Sequence, residues 1–475
     1  MSRWSSACIT VVLTVAITAG GLLLGNRYLC RQADQPAVFE QGACLDTDGT
    51  TTIEDLRVIP QDVKPFAKMF VRTMDLDQRR RLALQFDQRY FAPWNAAEPL
   101  FAVRAVAEGA RQLADRTWYG ENRLRVEPAR VQALMALADW AHLPSADQAG
   151  IVVKPTFVRV LPTDRPWYEA PDDAPFDHLQ FAEIKPNEPV HILHASKDGA
   201  WLYIETSYAN GWVDPDAIRL ANAAMRKRMR DAERIVVVRD FAEVRTETNR
   251  MLPQPKVGTL YPLVREERDH WLVEAAVAEG GQRAVFVTAR IAKNDARRHP
   301  LPLDAEGASR IGNELLKTPY GWGELYRNRD CSATTRDFFI PFGIWLPRNS
   351  AKQFASGPSV SLAGLAAADK EQRIREQGIA FRTLLHLRGH IMLYVGLRDH
   401  KPVVLHTAWA LRYRPENAAE KKAIIGRTIL STLEAGRELP LSQGTLLDRI
   451  DGMLLLPVED WQPGESAPDP PADTL

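Results

Sequence analysis

Two segments of the chain repeat one pattern about seventy residues apart, and this repeat limits the folds that the sequence can adopt. In "EPVHILHASKDGAWLYIETSYANGWVDPDAIRL" and "YPLVREERDHWLVEAAVAEGGQRAVFVTARI" an apolar run leads through a charged turn to Trp-Leu, at 201–202 and 271–272, and then to further short runs. Short apolar runs broken by glycine, proline and aspartate are typical of antiparallel strands. A repeat with this period predicts two copies of one small barrel, joined by a short helix within "ANAAMRKRMRDAERI".

Helical periodicity precedes the repeat, and helices mixed with strands follow it. "RRRLALQFDQRYFAPW" and "ARVQALMALADWAHL" space their apolar residues three and four apart, whereas "HIMLYVG" and "PVVLHTA" read as strands. At 475 residues the chain is too long for a single core. We therefore predict an α+β protein with several domains. The predicted segments are an N-terminal targeting segment (1–30), a mostly helical domain (31–150), two barrels (151–222 and 223–300), a last α+β domain (301–460) and a disordered tail (461–475).

The N-terminus reads as a targeting segment. After Arg3 the sequence is uncharged from Trp4 to Gly25, which is typical of a signal peptide or of a single membrane anchor. We expect export to the periplasm or the cell envelope, with membrane attachment through this segment as the alternative. Cys30 and Cys44 are close enough in sequence to pair in an oxidising compartment. The chain has 60 basic and 60 acidic residues and no basic stripe, so we expect no nucleic-acid partner.

Cys331 is left without a partner of its own kind, since Cys8 lies inside the targeting segment. In "PYGWGELYRNRDCSATTRDFF" the apolar spacing after the cysteine predicts a helix with Cys331 in its first turn. The free N–H groups and the dipole at a helix start favour a thiolate and stabilise an oxyanion. Cys331 is therefore a candidate nucleophile, and an inert buried thiol is the alternative.

A nucleophilic cysteine needs a base, and two histidines offer one. The strands "GHIMLYVG" and "KPVVLHTA" predict a hairpin centred at Arg398, which pairs His390 with His406 on one face. One imidazole would then accept the thiol proton while the other fixes its tautomer. Two histidines and a thiolate also suit zinc, but no C-x-x-C or H-x-x-x-H spacing supports a metal site. We expect neither a metal nor another cofactor.

These motifs resemble those of the NlpC-type cell-wall peptidases, a papain-like family, over residues 308 to 410, and the repeat resembles the bacterial SH3-like domain. The resemblance implies that Cys331 is the nucleophile, His390 the base and His406 the third polar residue. It implies cleavage of the γ-D-glutamyl–diamino acid bond in peptidoglycan-derived peptides, which would be the partners of this protein. The resemblance further assigns the free amine of an N-terminal L-alanine to Asp330, with Tyr320 and Ser332 nearby.

The sequence departs from the family pattern at two positions, where Glu324 and Ala333 replace glycines. We expect Glu324 either to alter the preference for peptides or to face solvent. We interpret Arg348 and Ser350 as structural, and Trp167 and Tyr168 as candidates for substrate contact in an exposed loop. Two other functions stay open: an amidase that cuts between N-acetylmuramic acid and L-alanine, and a wall-binding scaffold with an inactive peptidase domain.

Overall fold

The computed structural model describes residues 53–72 and 74–456. The predicted targeting segment, Cys8, Cys30, Cys44 and the tail lie outside the described residues. Within the described ranges, every helix is too short or too polar to cross a bilayer.

The N-terminal domain consists of short helices, as its periodicity predicts. The Asp75 side chain accepts a hydrogen bond from the N–H of Gln78 and so begins the longest of these helices. Phe86 and Tyr90 on that helix are buried, and their rings lie 5.6 Å apart. The helices are Glu54–Val58 (α1), Lys64–Phe70 (α2), Leu76–Tyr90 (α3), Ala92–Asn95 (α4), Val103–Ala114 (α5) and Pro128–Ala138 (α6).

The first copy of the repeat forms an antiparallel sheet with its own apolar core. Trp212, which lies in the part of the repeat that closes the barrel, is fully buried. In chain order the seven strands are Gln148–Val152 (β1), Thr156–Arg159 (β2), Gln180–Ile184 (β3), Pro189–Ala195 (β4), Leu202–Glu205 (β5), Asn210–Val213 (β6) and Ile218–Leu220 (β7), arranged in the sheet as β3-β2-β6-β5-β4-β1-β7.

The second copy forms a separate antiparallel sheet with a separate core around Val273 and Ile291. The predicted linking helix, Ala223–Asp231 (α7), precedes it and is capped by Asn222, whose side chain accepts from the N–H of Met225. The strands are Arg234–Val237 (β8), Val244–Thr246 (β9), Leu260–Glu266 (β10), His270–Ala278 (β11), Ala284–Ala292 (β12) and Ala296–His299 (β13), arranged in the sheet as β13-β8-β10-β11-β12-β9.

The last domain places helices against a six-stranded antiparallel sheet of order β14-β19-β15-β16-β17-β18. Its core continues into the N-terminal helices, because helix α8 packs directly on α2. A Cβ on Gly312 of α8 would lie 2.8 Å from the Val63 side chain, so this close approach requires glycine. The elements are Ala305–Leu315 (α8), Cys331–Phe339 (α9), Ser350–Phe354 (α10), Ser359–Ser361 (β14), Ala367–Gln377 (α11), Thr383–Leu387 (β15), His390–Arg398 (β16), Lys401–Tyr413 (β17), Lys421–Thr432 (β18), Leu446–Arg449 (α12) and Gly452–Leu455 (β19).

The predicted register of the β16–β17 hairpin is wrong. The turn lies at Asp399 and His400, which both have positive φ, rather than at Arg398. A β-bulge next to Gly396 then shifts the pairing, so that Leu393 faces Leu405. A Cβ on Gly396 would collide with the Phe70 ring of α2, so the bulge lies where another domain packs on the strand. Continuing this register places His406 opposite Met392, and His390 lies diagonally from His406 on the same face.

Candidate active site

Helix α9 begins at Cys331, so the cysteine lies in the first turn, as the sequence predicts. The Asp330 side chain caps it by accepting a hydrogen bond of 2.9 Å from the N–H of Ala333. Phe338 and Phe339, at the other end of the helix, are fully buried in the apolar core, and α9 packs against β16 and β17. Cys331 itself is only partly buried.

The two histidines contact each other in spite of the shifted register. His390 Nε2 lies 2.9 Å from His406 Nδ1, and His406 Nε2 lies 3.0 Å from Ser431 Oγ. The hydroxyl of Ser431 donates its hydrogen to the carbonyl oxygen of Thr432, so its oxygen accepts from His406 Nε2–H. Neutral His406 then accepts from His390 Nε2–H through Nδ1, which leaves Nδ1 of His390 as the basic nitrogen. Ser431 was not found by sequence reasoning, because nothing near it in the sequence marks it.

One cavity of about 520 Å³ brings the predicted site residues together. Cys331, His390 and His406 line it, and so do the three residues predicted to bind the substrate amine. The first barrel supplies part of the wall through residues around 176–181. The residues of the predicted site that line this cavity are Tyr320, Asp330, Cys331, Ser332, His390 and His406.

Burial sets the protonation of the cluster. It raises the pKa of the Cys331 thiol to about 12, with the neighbouring Asp330 carboxylate adding to the effect. Burial also lowers the pKa of His390 to about 4 and that of His406 well below its ordinary value. The expected stabilisation of a thiolate by the helix start is therefore outweighed. Near neutral pH the resting site holds a neutral thiol and neutral imidazoles.

Asp330 is already held by several donors. Arg348 binds it through two nitrogens, at 3.1 Å to Oδ1 and 2.6 Å to Oδ2. Ser332 Oγ donates to Oδ1 and the N–H of Gly323 donates to Oδ2. An incoming ammonium would therefore meet a carboxylate whose charge Arg348 balances. The structural role expected for Arg348 agrees with its burial and these contacts.

Glu324 is fully buried, so the expectation that it might face solvent is wrong. Its carboxylate lies 3.0 Å from an Nη atom of Arg336 and 3.1 Å from Nε of Arg348. Its φ of 65° is the left-handed conformation that favours glycine, the residue usual in the family at this position. Two buried ion pairs offset the conformational cost. Ala333, the other departure, is also fully buried.

A buried ionic junction, which sequence reasoning missed, ties the barrels to α9. Asp337 on α9 lies 2.6 Å from Lys185 of the first barrel and 2.8 Å from Arg329. Arg329 also pairs with Asp240 of the second barrel at 2.5 Å. The local signal is the adjacent pair of charges, Arg336 and Asp337, just before two phenylalanines in α9. The junction comprises Glu183, Lys185, Asp240, Lys256, Glu324, Arg327, Arg329, Arg336 and Asp337.

The loop expected to expose Trp167 and Tyr168 buries Trp167 and leaves Tyr168 partly exposed. Trp167 is buried and stacks on Trp118 with 5.9 Å between ring centroids, so it does not offer an exposed substrate contact. Phe176, further along the same loop, does line the cavity, and its ring lies 5.2 Å from that of Trp322. This aromatic side chain carries the contribution of the loop to the cavity.

Within the described ranges, one group of residues places metal-ligand atoms close together. Glu169, Asp173 and His178 have such atoms within 4.8 Å of one another. Glu169 is already paired with Arg116, and we assign no metal to this group.

A thiol at a helix start and a histidine pair on two neighbouring strands define the class of papain-like cysteine hydrolases. Family models match three parts of the chain: an N-terminal NLPC_P60 stabilising domain at 23–142, an SH3 domain of the SH3b1 type at 166–214, and the NlpC/P60 family at 317–412. The chain therefore carries an NlpC/P60 family domain behind an NLPC_P60 stabilising domain and an SH3 domain. Its domain composition indicates a cell-wall hydrolase outside the cell or in its envelope. The second barrel has no such match, and its SH3-like character stays a prediction.

One solved structure shows the same fold over most of the chain. An NlpC/P60 endopeptidase from Photobacterium damselae subsp. piscicida has a TM-score of 0.74 and 20% identity, over 84% of this chain and 97% of that one. An NlpC/P60 family protein from Bacillus cereus has a TM-score of 0.39 and 18% identity, over 58% of this chain and 83% of that one. No curated protein matches the sequence.

Proposed function

We propose that this protein is a cysteine endopeptidase that cleaves the γ-D-glutamyl–diamino acid bond of peptidoglycan stem peptides in the periplasm or cell envelope. The observation that carries the proposal is the shared cavity, in which the Cys331 thiol lies with the hydrogen-bonded chain of His390, His406 and Ser431. These hydrogen bonds leave Nδ1 of His390 free to accept the thiol proton.

In the proposed reaction, His390 Nδ1 accepts the thiol proton while the sulfur of Cys331 attacks the γ-carbonyl carbon. The tetrahedral intermediate collapses to a thioester, and the amine of the diamino acid leaves with the proton from His390. Water then attacks the thioester, with His390 again acting as base, and the free γ-carboxyl is released. The free N–H groups at the start of α9 are the candidate donors to the oxyanion.

The resting pair is neutral, so proton transfer accompanies attack rather than preceding it. The pKa of the thiol is raised and that of His390 is lowered, and both directions disfavour a thiolate–imidazolium pair in the empty site. His406 and Ser431 act as positioning residues, because they fix which nitrogen of His390 carries the hydrogen.

The cavity favours small substrates. The first barrel forms part of its wall, with Phe176 and Phe181 facing the peptidase domain. We therefore expect freed stem peptides to be better substrates than intact wall. Asp330, with Tyr320 and Ser332, would receive the amine of L-alanine beside the Arg348 guanidinium.

Mass spectrometry of an L-Ala-γ-D-Glu-diaminopimelate peptide after incubation with the protein tests the reaction. Release of diaminopimelate is expected, and Cys331→Ser is expected to abolish release while peptide binding is retained. Activity that survives this substitution would falsify the assignment of Cys331. Release of intact peptide from a muramyl-peptide would instead identify an amidase.

The same assay tests recognition of the amine. Acetylation of the alanine amine is expected to slow cleavage by about tenfold or more, because the acetylated peptide cannot donate a charged hydrogen bond to Asp330. Equal rates on both peptides would remove Asp330 from substrate recognition and leave the hydrolysis itself unaffected.

A further inference from the structure

The cavity lining has an excess of positive charge. Its one carboxylate among the described residues is Asp330, and Arg348 balances that charge. Four further cations line the cavity without a second acid in the lining, and we call this set the cationic rim. The rim consists of Arg388, Arg412, Lys422 and Arg449.

Arg449 differs from Arg412 of the cationic rim in that it lacks an ion-pair partner among the described residues. It is exposed at the end of α12, and it makes no hydrogen bond or ion pair with any residue in the described part of the chain. Arg412, by contrast, pairs with Glu420 at 3.1 Å. The charge of Arg449 also reaches the base, because after burial it is the largest influence lowering the pKa of His390. Arg449 is therefore a cation beside the reacting groups with its guanidinium open to a ligand.

We propose that Arg449 is a specificity-determining residue that binds a substrate carboxylate beside His390, so that the cationic rim selects peptides with free carboxylates over their amidated forms. This inference rests on the proposed function. A guanidinium binds a carboxylate through two parallel hydrogen bonds, which gives orientation as well as affinity. A cavity lined by one sign of charge also raises the local concentration of oppositely charged ligands.

The same contact assists the chemistry. A carboxylate bound to Arg449 balances the positive charge that opposes protonation of His390, so the imidazole accepts the thiol proton more readily. An acidic peptide would thus gain both in binding and in the proton-transfer step. Arg449 and Lys422 lie beyond residue 412, where the match to the NlpC/P60 family model ends. This recognition is therefore supplied by the C-terminal segment of this chain.

Binding to a Cys331→Ala protein tests the inference without requiring turnover. The probes are L-Ala-γ-D-Glu-diaminopimelate and the same peptide with its carboxylates converted to amides, and the measurement is isothermal titration calorimetry. The acidic peptide is expected to bind about tenfold more tightly. Arg449→Gln should remove most of this preference and Arg449→Lys only part of it, because lysine keeps the charge and loses the fork. The matched control is Arg104→Gln on α5, an exposed arginine outside the cavity.

Three results would overturn the inference: equal affinity for the two peptides, no binding of the acidic peptide, or an unchanged preference in Arg449→Gln. An Arg104→Gln effect as large as that of Arg449→Gln would overturn it as well. Failure of the proposed reaction looks different. If the acidic peptide binds preferentially and the unsubstituted protein does not cleave it, the carboxylate site stands and the endopeptidase assignment fails.

Discussion

The two sides of helix α9 are both buried, but they are built from opposite chemistries. On the sheet side, Phe338 and Phe339 pack in the apolar core with no exposed surface. On the barrel side, Arg336 and Asp337 are equally buried and enter the ionic junction. The same short helix thus carries Cys331 between an apolar layer and a charged one.

The contrast between the apolar side and the ionic side of α9 indicates how the domains are positioned around the Cys331 thiol. Apolar packing depends on shape and volume and tolerates exchanges of similar size. Buried ion pairs are specific, because each charge left without its partner is costly. Asp337 and Arg329 connect α9 to both barrels, so the ionic side sets where the barrels lie relative to the cavity, and the apolar side holds the helix to its sheet.

The largest expected effect is that of Asp337→Ala, which leaves Lys185 and Arg329 facing each other without the shared carboxylate. We expect a loss of about 3–5 kcal/mol in the free energy of unfolding. The control Phe338→Leu, on the opposite side, is expected to cost only about 1 kcal/mol. Chemical denaturation of the two variants measures both values. A smaller loss for Asp337→Ala than for Phe338→Leu would break the comparison.

The second prediction concerns the pH dependence of the free energy of unfolding, to which the buried histidines and the ionic junction contribute in different pH ranges. Burial lowers the pKa of His390 to about 4 and that of His299 to about 3, so the unfolded chain takes up protons that the folded chain refuses. Each of these two histidines should therefore lower the free energy of unfolding by about 2.5 kcal/mol, and the pair by about 5 kcal/mol, as the pH drops from about 6.5 to about 4. Asp337, Asp240 and Glu183 have lowered pKa values, so their contribution is lost only at lower pH still.

Denaturation at pH 7, 5.5 and 4.5 measures this change. His299 is the one of these two histidines that lies away from the active site. His299→Gln should make the free energy of unfolding depend less steeply on pH in that range. A free energy of unfolding that stays constant or rises on acidification would show that the histidines are not neutral in the folded state.

The smallest effect is expected from Ser431→Ala, which removes the acceptor for His406 Nε2–H and leaves the His390–His406 contact in place. We expect kcat to fall by about tenfold with little change in KM, and a stability loss of about 1 kcal/mol. Ser431→Thr keeps a hydroxyl and should restore most of the rate. A variant with altered KM and unchanged kcat would show that Ser431 does not act through the histidines.

Much of the architecture was readable from patterns in the sequence. The repeat predicted two antiparallel sheets, the apolar spacing predicted the helix that begins at Cys331, and the two short strands predicted histidines on a common face. These features follow from local periodicity and turn chemistry, which lie within a few residues of each other in the chain.

The sequence by itself thus determined the modules, the helix beneath the thiol and the candidate thiol and histidines of the cavity. Only the tertiary structure decided the bulge at Gly396 under Phe70, the neutral resting site, the burial of Glu324 and the position of the Arg449 charge at the cavity. Each of these depends on contacts between residues distant in the chain. Such contacts set desolvation and partner choice, and no local pattern records them.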